Sequence, residues 1–420
     1  MIFLDANVIY EAMRLAIKSG DKDRYVTQLY QVNHLLYTAM LQEAFREGSY
    51  KPEKGNKFVL KERGKTRFVT NNKMVDKVVN HMICDEILTP ALKRFLIHDN
   101  GASQKGKGVS FHRVRFETHL RDYFKRYGTN KGYILLGDFS GYYANIRHDI
   151  CGKVLAHFLK RSGFDREDLA MAWRILTGIF NTFRVDVSRF SDDEIRVMYT
   201  SKVDAMLNYG VDETLLTGEK FLNKGVDIGN QTSQNIGVIF PYRLDNYVKI
   251  VAGIKGYGRY TDDFYAIASD RETLKNLLEG LKDIANKYGI IINKRKTRIV
   301  KLSSFYRHLQ NGYSLTETGR VIRKINPKSI TRERKKLKAY KRLINTGRIT
   351  LDEIENIFKS WICGNYQRMS HWQIYNMYQL YIKLFERKPK WKKKRRTTHA
   401  RLRWLMEHSS PSWNLTATTL

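Results

Sequence analysis

The chain has few cysteines and no long apolar run, and each shortage excludes a class of protein. Its three cysteines, Cys84, Cys151 and Cys363, lie far apart and form no CxxC pair, which argues against a disulfide framework or a thiolate zinc site. No apolar run approaches the roughly 18 residues of a membrane span, and the start MIFLDANVIY lacks the basic residues of a signal peptide. The sequence therefore predicts a soluble, cytoplasmic protein with no membrane partner.

Acidic residues are scarce relative to basic ones. The 420 residues include 75 Lys and Arg against 42 Asp and Glu, a formal net charge of +33. The chain is also 42% hydrophobic with 25 Tyr, 20 Phe and 6 Trp, so it can bury large cores and is not a disordered basic tail. Because the basic residues run through the whole chain rather than along one amphipathic helix, nucleic acid is favoured over a membrane surface as the partner.

Changes in the apolar pattern predict an α+β fold. Residues 51–70 read as a β-hairpin, and residues 73–95 as a helix with one apolar face. Two short apolar segments, YILLGD and GRYTDDFYAIA, carry acids and are surrounded by helices that end at Gly or Asn. This mixture predicts a small antiparallel sheet backed by helices. After Ile325 the sequence becomes strongly basic and helical, which indicates a separate C-terminal module.

Three carboxylates carry the sharpest chemical signal. Asp262 and Asp263 are adjacent at a predicted turn between strands, where they repel each other unless a cation neutralises them. Asp138 ends the other apolar strand, so the sheet could bring all three together. Such hard oxygen ligands suit Mg²⁺, with Mn²⁺ as a substitute, and two ions can stabilise both oxygens of a phosphoryl transfer. An acidic pair alone is more often an ordinary turn.

Four motifs in order, over roughly residues 50–310, resemble those of reverse transcriptases, most closely the bacterial enzymes. They are GDFSGYYANI around Asp138, IGNQTSQ at 228–234, YTDDF around Asp262, and NKRKT at 293–297. The resemblance implies a right-hand polymerase with fingers, palm and helical thumb that copies RNA into DNA. The implied boundaries are an N-terminal helical extension at 1–50, fingers at 51–132, a palm at 133–310 with an embedded segment at 151–226, a basic thumb at 311–390 and a basic, RNA-binding tail at 391–420.

The resemblance also implies a role for each matching residue at the centre of the site. Asp138, Asp262 and Asp263, together with Phe139 beside the first of them, would hold the metal ions. Lys296 matches a lysine that protonates the leaving pyrophosphate. Tyr143 would lie under the sugar and exclude a 2′-hydroxyl.

Further matching residues are expected to contact the nucleotide or the nucleic acid. Arg67, with Lys65 nearby, matches a fingers arginine that binds the triphosphate, as a planar guanidinium can. Gly229 would let the backbone approach the base pair. The remaining expected contacts are nucleotide contacts at Ile228 and Gln234, and nucleic-acid contacts at Lys105, Lys107, Tyr260 and Thr261.

The middle motif narrows the class. Ile228 and Gln234 replace the Gln and Pro of most relatives, a pattern that resembles diversity-generating retroelements, whose enzymes copy a template-repeat RNA with errors. A missing FLG element after the NKRKT motif and the long embedded segment leave a second class open, the antiphage-defence enzymes that use a structured noncoding RNA. The implied partners are template RNA, cDNA, deoxynucleotides and an accessory protein. A scaffold without activity and an RNA-dependent RNA polymerase are alternatives, the first disfavoured by the intact acids and the second by Tyr143.

Overall fold

The computed structural model describes residues 1–62 and 64–390. The helices there are α1 Ala6–Ser19, α2 Tyr25–Val32, α3 His34–Arg46, α4 Met74–Met82, α5 Thr89–Lys93, α6 Val109–Tyr127, α7 His148–Leu159, α8 Arg166–Phe183, α9 Asp192–Thr200, α10 Gln231–Ile239, α11 Tyr242–Asn246, α12 Arg271–Tyr288, α13 Pro327–Ile344, α14 Leu351–Asn365 and α15 His371–Phe385. The strands are β1 Asn56–Glu62, β2 Lys65–Asn71, β3 Tyr133–Asp138, β4 Val185–Asp186, β5 Phe221–Leu222, β6 Tyr257–Tyr260, β7 Asp263–Ala268, β8 Arg298–Lys301, β9 Tyr306–His308, β10 Asn311–Leu315 and β11 Val321–Ile325. None of these helices is long and apolar enough to cross a membrane.

Two compact units divide the chain. The first contains Met1–Arg126 and Gly132–Val300, and the second contains Tyr127–Lys131 with the described residues from Lys301 onward. The α+β class predicted from the sequence is confirmed, with a small antiparallel sheet among helices. The finer division into extension, fingers, palm, embedded segment and thumb stays a prediction, and the predicted basic tail at 391–420 lies outside the described residues.

The central sheet of the first unit has four strands in the order β6, β7, β3, β8. Strand β3 pairs antiparallel with β7, and β7 pairs antiparallel with β6. The side chains of β3 and β7 are almost all buried. Both strands are therefore covered on both faces, which explains why their sequences are apolar runs without the usual alternation of apolar and polar residues. Helix α12 packs against both strands. It begins at the side-chain cap of Asp270 and ends at Gly289, whose φ of +66° suits glycine.

The predicted hairpin and the helix after it are both present. Strands β1 and β2 pair with Glu62 opposite Lys65, and Gly64 in the turn has φ +76°. The predicted helix at 73–95 is interrupted: α4 passes into a π-helical segment, Ile83–Leu88, before α5. Three of its apolar side chains, Ile83, Ile87 and Leu88, are fully buried, so the π-helical segment contributes to the core.

The segment between α8 and α10 forms a small apolar cluster of its own around Val187, Val203 and Leu222. Lys224, which is only 2% exposed, lies in the same segment. Its ammonium donates to the backbone oxygens of Met198, Tyr199 and Ser201 at 3.0, 3.3 and 2.7 Å. These oxygens lie at the end of α9, where helix carbonyls lack partners, so a buried lysine closes that helix. Burial lowers the pKa of Lys224 to about 8.

The second unit combines a three-stranded sheet with three helices. The strand order is β11, β10, β9, and both pairings are antiparallel. Helices α13, α14 and α15 share an apolar core. Helix α13 carries most of its Lys and Arg side chains on exposed positions, as the basic composition of this module predicted.

Candidate active site

The three predicted carboxylates meet at one end of the central sheet. Asp138 is the last residue of β3 and pairs in register with Asp263, the first residue of β7. The backbone amide of Phe139 donates to the backbone oxygen of Asp262 at 3.1 Å. Antiparallel pairing therefore places the end of one acidic strand beside the start of the other, which brings together residues more than 120 positions apart in the chain.

Burial and mutual repulsion make this acidic group unstable without a positive charge. Desolvation, followed by the charges of Asp262 and Asp138, raises the pKa of Asp263 to about 7. Desolvation and the charge of Asp138 also raise the pKa of Asp262. Lys296 and Lys65 oppose both shifts. Carboxylates in such a setting favour either a proton or a bound cation.

Lys296 supplies a positive charge to the group. Its ammonium lies 2.7 Å from Oδ2 of Asp138, and the side-chain amide of Asn293 donates to the same oxygen at 3.1 Å. The backbone amide of Asn293 also donates to the backbone oxygen of Asp138 at 2.8 Å. The NKRKT segment predicted from the sequence is thus attached directly to the first acidic strand.

The donor set fits a hard divalent cation. Within residues 1–62 and 64–390, no group of three His, Cys, Asp or Glu side chains is already arranged around a metal position. Instead the Lys296 ammonium contacts the carboxylate of Asp138 and provides the positive charge that a metal cation would otherwise supply. Carboxylate oxygens are the ligands that Mg²⁺ prefers, so Asp138, Asp262 and Asp263 fit such an ion once Lys296 yields its contact.

A buried arginine, which sequence reasoning missed, supports the acidic turn. Arg259 is 0% exposed and forms a double hydrogen bond with Asp245, from Nε to Oδ1 at 2.8 Å and from Nη2 to Oδ2 at 2.7 Å. It also donates to the backbone oxygens of Val238 at 2.7 Å and Thr261 at 2.9 Å. An arginine inside an apolar strand must be paired, and that was the available signal.

Thr261 occupies a strained position in this turn. Its φ is +56°, a region that β-branched residues rarely adopt. The Arg259 guanidinium holds its carbonyl oxygen in place. Tyr260, the residue before it, packs edge-on against His112 of α6 at 5.6 Å between ring centroids. The predicted nucleic-acid contacts at Tyr260 and Thr261 stay predictions.

Tyr143, to which the resemblance assigns a role at the sugar, lies close to Asp262. Burial, followed by the charge of Asp262, raises the pKa of Tyr143 to about 12. Its hydroxyl packs over Gly237 of α10, where an added Cβ would come within 2.7 Å of the oxygen. Tyr143 also lines a cavity of about 800 Å³ together with Lys57, Phe68 and Ile228.

The hairpin contributes a charge to the site, but through Lys65 more than Arg67. Lys65 is the hairpin residue whose charge lowers the pKa of Asp262 and Asp263. Arg67 instead lies 3.2 Å from Oε2 of Glu62 within the same hairpin. The predicted order of importance of these two residues at the triphosphate stays untested.

The residues of the middle motif lie against strand β2. The backbone amide of Thr70 donates to the oxygen of Ile228 at 2.8 Å. Gly229 has φ +106°, and a Cβ there would meet the Thr70 oxygen at 2.5 Å. The close approach that requires this glycine is therefore to protein backbone. Gln234 is exposed and lines a second cleft, of about 450 Å³.

Lys105 and Lys107 lie in the loop before α6, where a glycine separates them, and only one of the two is exposed. The ammonium of Lys107 donates to the backbone oxygens of His98 at 2.9 Å and Asn100 at 3.2 Å, and burial lowers its pKa. Lys105 is exposed, and Gly106 between them has φ +78°. Lys107 therefore shapes the loop, which leaves Lys105 as the more accessible charge.

Comparison with known protein families gives one match. Residues 52–331 match the family described as reverse transcriptase (RNA-dependent DNA polymerase). This range includes the hairpin, all three carboxylates and Lys296. A comparison with curated protein sequences gives no significant match.

Solved structures similar to this chain include three of yeast telomerase. A Candida albicans telomerase in complex with a TWJ fragment of telomeric RNA has a TM-score of 0.44 at 12% identity, over 86% of this chain and 66% of that one. An apo Candida tropicalis telomerase scores 0.43 at 13% identity, over 80% and 63%. A C-terminally truncated form of the latter scores 0.40 at 15%, over 67% and 58%. The chain thus spans less than two thirds of the length of these telomerases.

Proposed function

The chain belongs to the reverse transcriptase family, and from that premise we propose that it is an RNA-directed DNA polymerase that extends a primer with deoxynucleotides along an RNA template. The observation that carries the proposal is the meeting of Asp138, Asp262 and Asp263 at one end of the central sheet, with Tyr143 close to Asp262. A polymerase needs a cation site for the phosphates, and Tyr143, which also lines a cavity, would connect this site with a space for the nucleotide.

The proposed chemistry assigns separate tasks to the residues of the site. Mg²⁺ ions, when bound, would supply the positive charge that activates the primer hydroxyl and stabilises the leaving phosphates. Asp138, Asp262 and Asp263 would bind and position these ions. Lys296 would move from Asp138 to the pyrophosphate side and donate a proton there. The contact between Lys296 and Asp138 supports this role, because it already places the ammonium at the site, from which the side chain can move to the phosphates.

The nucleotide itself would lie in the cavity lined by Tyr143 and Ile228. The ring of Tyr143 is held by its packing over Gly237, so it would meet a 2′-hydroxyl as a rigid wall. Lys65 and Arg67 of the hairpin would face the triphosphate, where guanidinium and ammonium groups bind phosphate oxygens. The sequence patterns at Ile228 and Gln234 support error-prone copying of a template-repeat RNA in a diversity-generating retroelement.

Primer extension on an RNA template tests the proposed activity. The wild type should add dNTPs with Mg²⁺ and largely reject rNTPs. Tyr143→Ala should incorporate rNTPs more readily, because the wall against the 2′-hydroxyl is gone. Tyr143→Phe keeps the ring and serves as the matched control, which should reject rNTPs as the wild type does. Efficient use of rNTPs by the wild type would refute the assignment as a DNA polymerase.

The class of template needs a different measurement. Sequencing the RNA that co-purifies with the protein should recover a template-repeat RNA. A compact structured noncoding RNA would instead favour the antiphage-defence class, which the long segment between α8 and α10 leaves open.

Deep sequencing of cDNA should also show fewer errors at adenines for Ile228→Gln than for the wild type, and an unchanged error rate would contradict the fidelity role of Ile228.

A further inference from the structure

One aromatic side chain of the second unit is exposed where its neighbours on the same helix are buried. Helix α15 contributes Ile374, Met377, Tyr381 and Phe385 to the apolar core, each 6% exposed or less. Trp372, near the start of the helix, is 57% exposed. Tryptophan has a large apolar surface that is costly to leave in water, so core packing does not explain its presence at this position.

The ring of Trp372 is stacked on a second aromatic ring. The ring of Tyr375, one helical turn further, stacks on it with 5.6 Å between centroids and 18° between planes. Residues three apart lie on the same helix face, so the backbone fixes this pair. Stacking covers part of one face of the indole and orients the ring, and the 57% exposure of Trp372 leaves much of its remaining surface open.

The unit that carries this pair is strongly basic. Residues 301–390 contain 20 Lys and Arg against six Asp and Glu. Helix α13 packs against α15 and presents exposed basic side chains, among them Arg334 and Lys335. An exposed aromatic face within positive charge attracts a polyanion that has free π surfaces. Single-stranded nucleic acid has such surfaces, whereas the bases of a duplex are stacked on one another.

We propose that Trp372, oriented by Tyr375, is a stacking platform for an unpaired base of single-stranded RNA. The site is distinct from the carboxylate site, which lies in the first unit. The proposal rests on the proposed function only in taking RNA as the polyanion. It assigns base contact to Trp372 and phosphate contact to the basic side chains of α13.

Binding of two short RNAs tests the platform without catalysis. Fluorescence anisotropy, with neither Mg²⁺ nor nucleotides, would compare a labelled 12-nucleotide RNA with the same strand carrying abasic residues in its central part. Trp372→Ala should weaken binding of the intact RNA on the order of tenfold, the usual scale for one stacked base. It should leave binding of the abasic RNA unchanged. Trp372→Phe, which keeps an aromatic face, should retain most of the affinity.

The double variant Arg334→Ala/Lys335→Ala is the matched control for phosphate contact. It should weaken binding of both RNAs by the same factor. An equal loss on both RNAs for Trp372→Ala, no loss on either, or a loss for Trp372→Phe as large as that for Trp372→Ala would overturn the platform. A wild type that shows base-dependent binding but extends no primer would refute the proposed function and leave the platform intact.

Discussion

Removing the guanidinium of Arg259 should loosen the acidic turn more than any surface change. The substitution Arg259→Met keeps a long apolar side chain of similar length but deletes the charge. It leaves the carboxylate of Asp245, which is 2% exposed, with only the hydroxyl of Tyr257 at 2.6 Å among its present partners. It also removes the donor to the strained Thr261 carbonyl.

The magnitude follows from breaking a buried ion pair by deleting one partner. Such changes cost about 3–5 kcal/mol, mainly because an uncompensated charge stays buried. The total stability of a domain is only about 5–15 kcal/mol, so the variant should fold with a much reduced margin. Since about 1.4 kcal/mol corresponds to a factor of ten, local opening of the sheet should become about 100-fold to several thousand-fold more frequent.

Native-state hydrogen exchange of the β7 amides, Asp263–Ala268, is the assay, because it reports the opening of this strand separately from the second unit. Arg14→Met is the matched control: Arg14 lies 2.7 Å from Glu11 on the exposed side of α1, and loss of an exposed pair has little effect on stability. Its β7 amides should exchange as in the wild type.

A double variant separates the ion pair from the support of the turn. Arg259→Met/Asp245→Leu replaces both partners with apolar groups, which is often neutral for stability. Slow β7 exchange should therefore return. Nucleotide incorporation should stay reduced, because Thr261 still lacks its donor. Exchange of β7 in Arg259→Met within fivefold of the wild type, or full activity of the double variant, would refute this reasoning.

Two further predictions concern a charge and a glycine. Lys296→Gln should raise Mn²⁺ affinity in the absence of nucleotide about twofold to fivefold, the range of a partly exposed ion pair, because the ammonium no longer competes for Asp138. Electron paramagnetic resonance of free Mn²⁺ measures this affinity, and Lys294→Gln is the control for the loss of charge alone. Equal effects of the two variants would count against a direct contact between Lys296 and Asp138. Gly229→Ala should lower the free energy of unfolding by about 1–3 kcal/mol. Gly152→Ala, at a helix position with free space, should raise that free energy by about 0.5–1 kcal/mol. Comparable melting temperatures for the two variants would contradict the role assigned to the φ of Gly229.

The parts of the site that the sequence predicted depend on local pattern. Asp138 ends one apolar run and Asp263 begins another, so the strand ends that hold them can be predicted from the alternation of apolar segments and acids. The hairpin and the basic helical module after Ile325 are likewise predicted from turn residues and composition. Each of these features is decided by the residues of a single sequence segment.

The parts that the sequence did not predict depend on contacts between distant residues. Lys296 meets Asp138 across 158 positions, and no local pattern fixes which partner a lysine chooses. The pairing of Arg259 with Asp245 crosses a helix and a turn, although an arginine in a buried strand does indicate that some acid must be near. The sheet also gains a fourth strand, β8, whose pairing with β3 depends on tertiary packing.

Single-nucleotide incorporation on an RNA template tests the central claim most directly, because it asks whether these carboxylates carry the chemistry. The comparison is between the wild type and Asp262→Asn/Asp263→Asn, which keeps side-chain volume while removing both charges. The wild type should add a dNTP with Mg²⁺, and the double variant should be slower by at least about 100-fold, because cation contributions amount to several kcal/mol. An equal rate in a double variant with an unchanged melting temperature would contradict the proposed site.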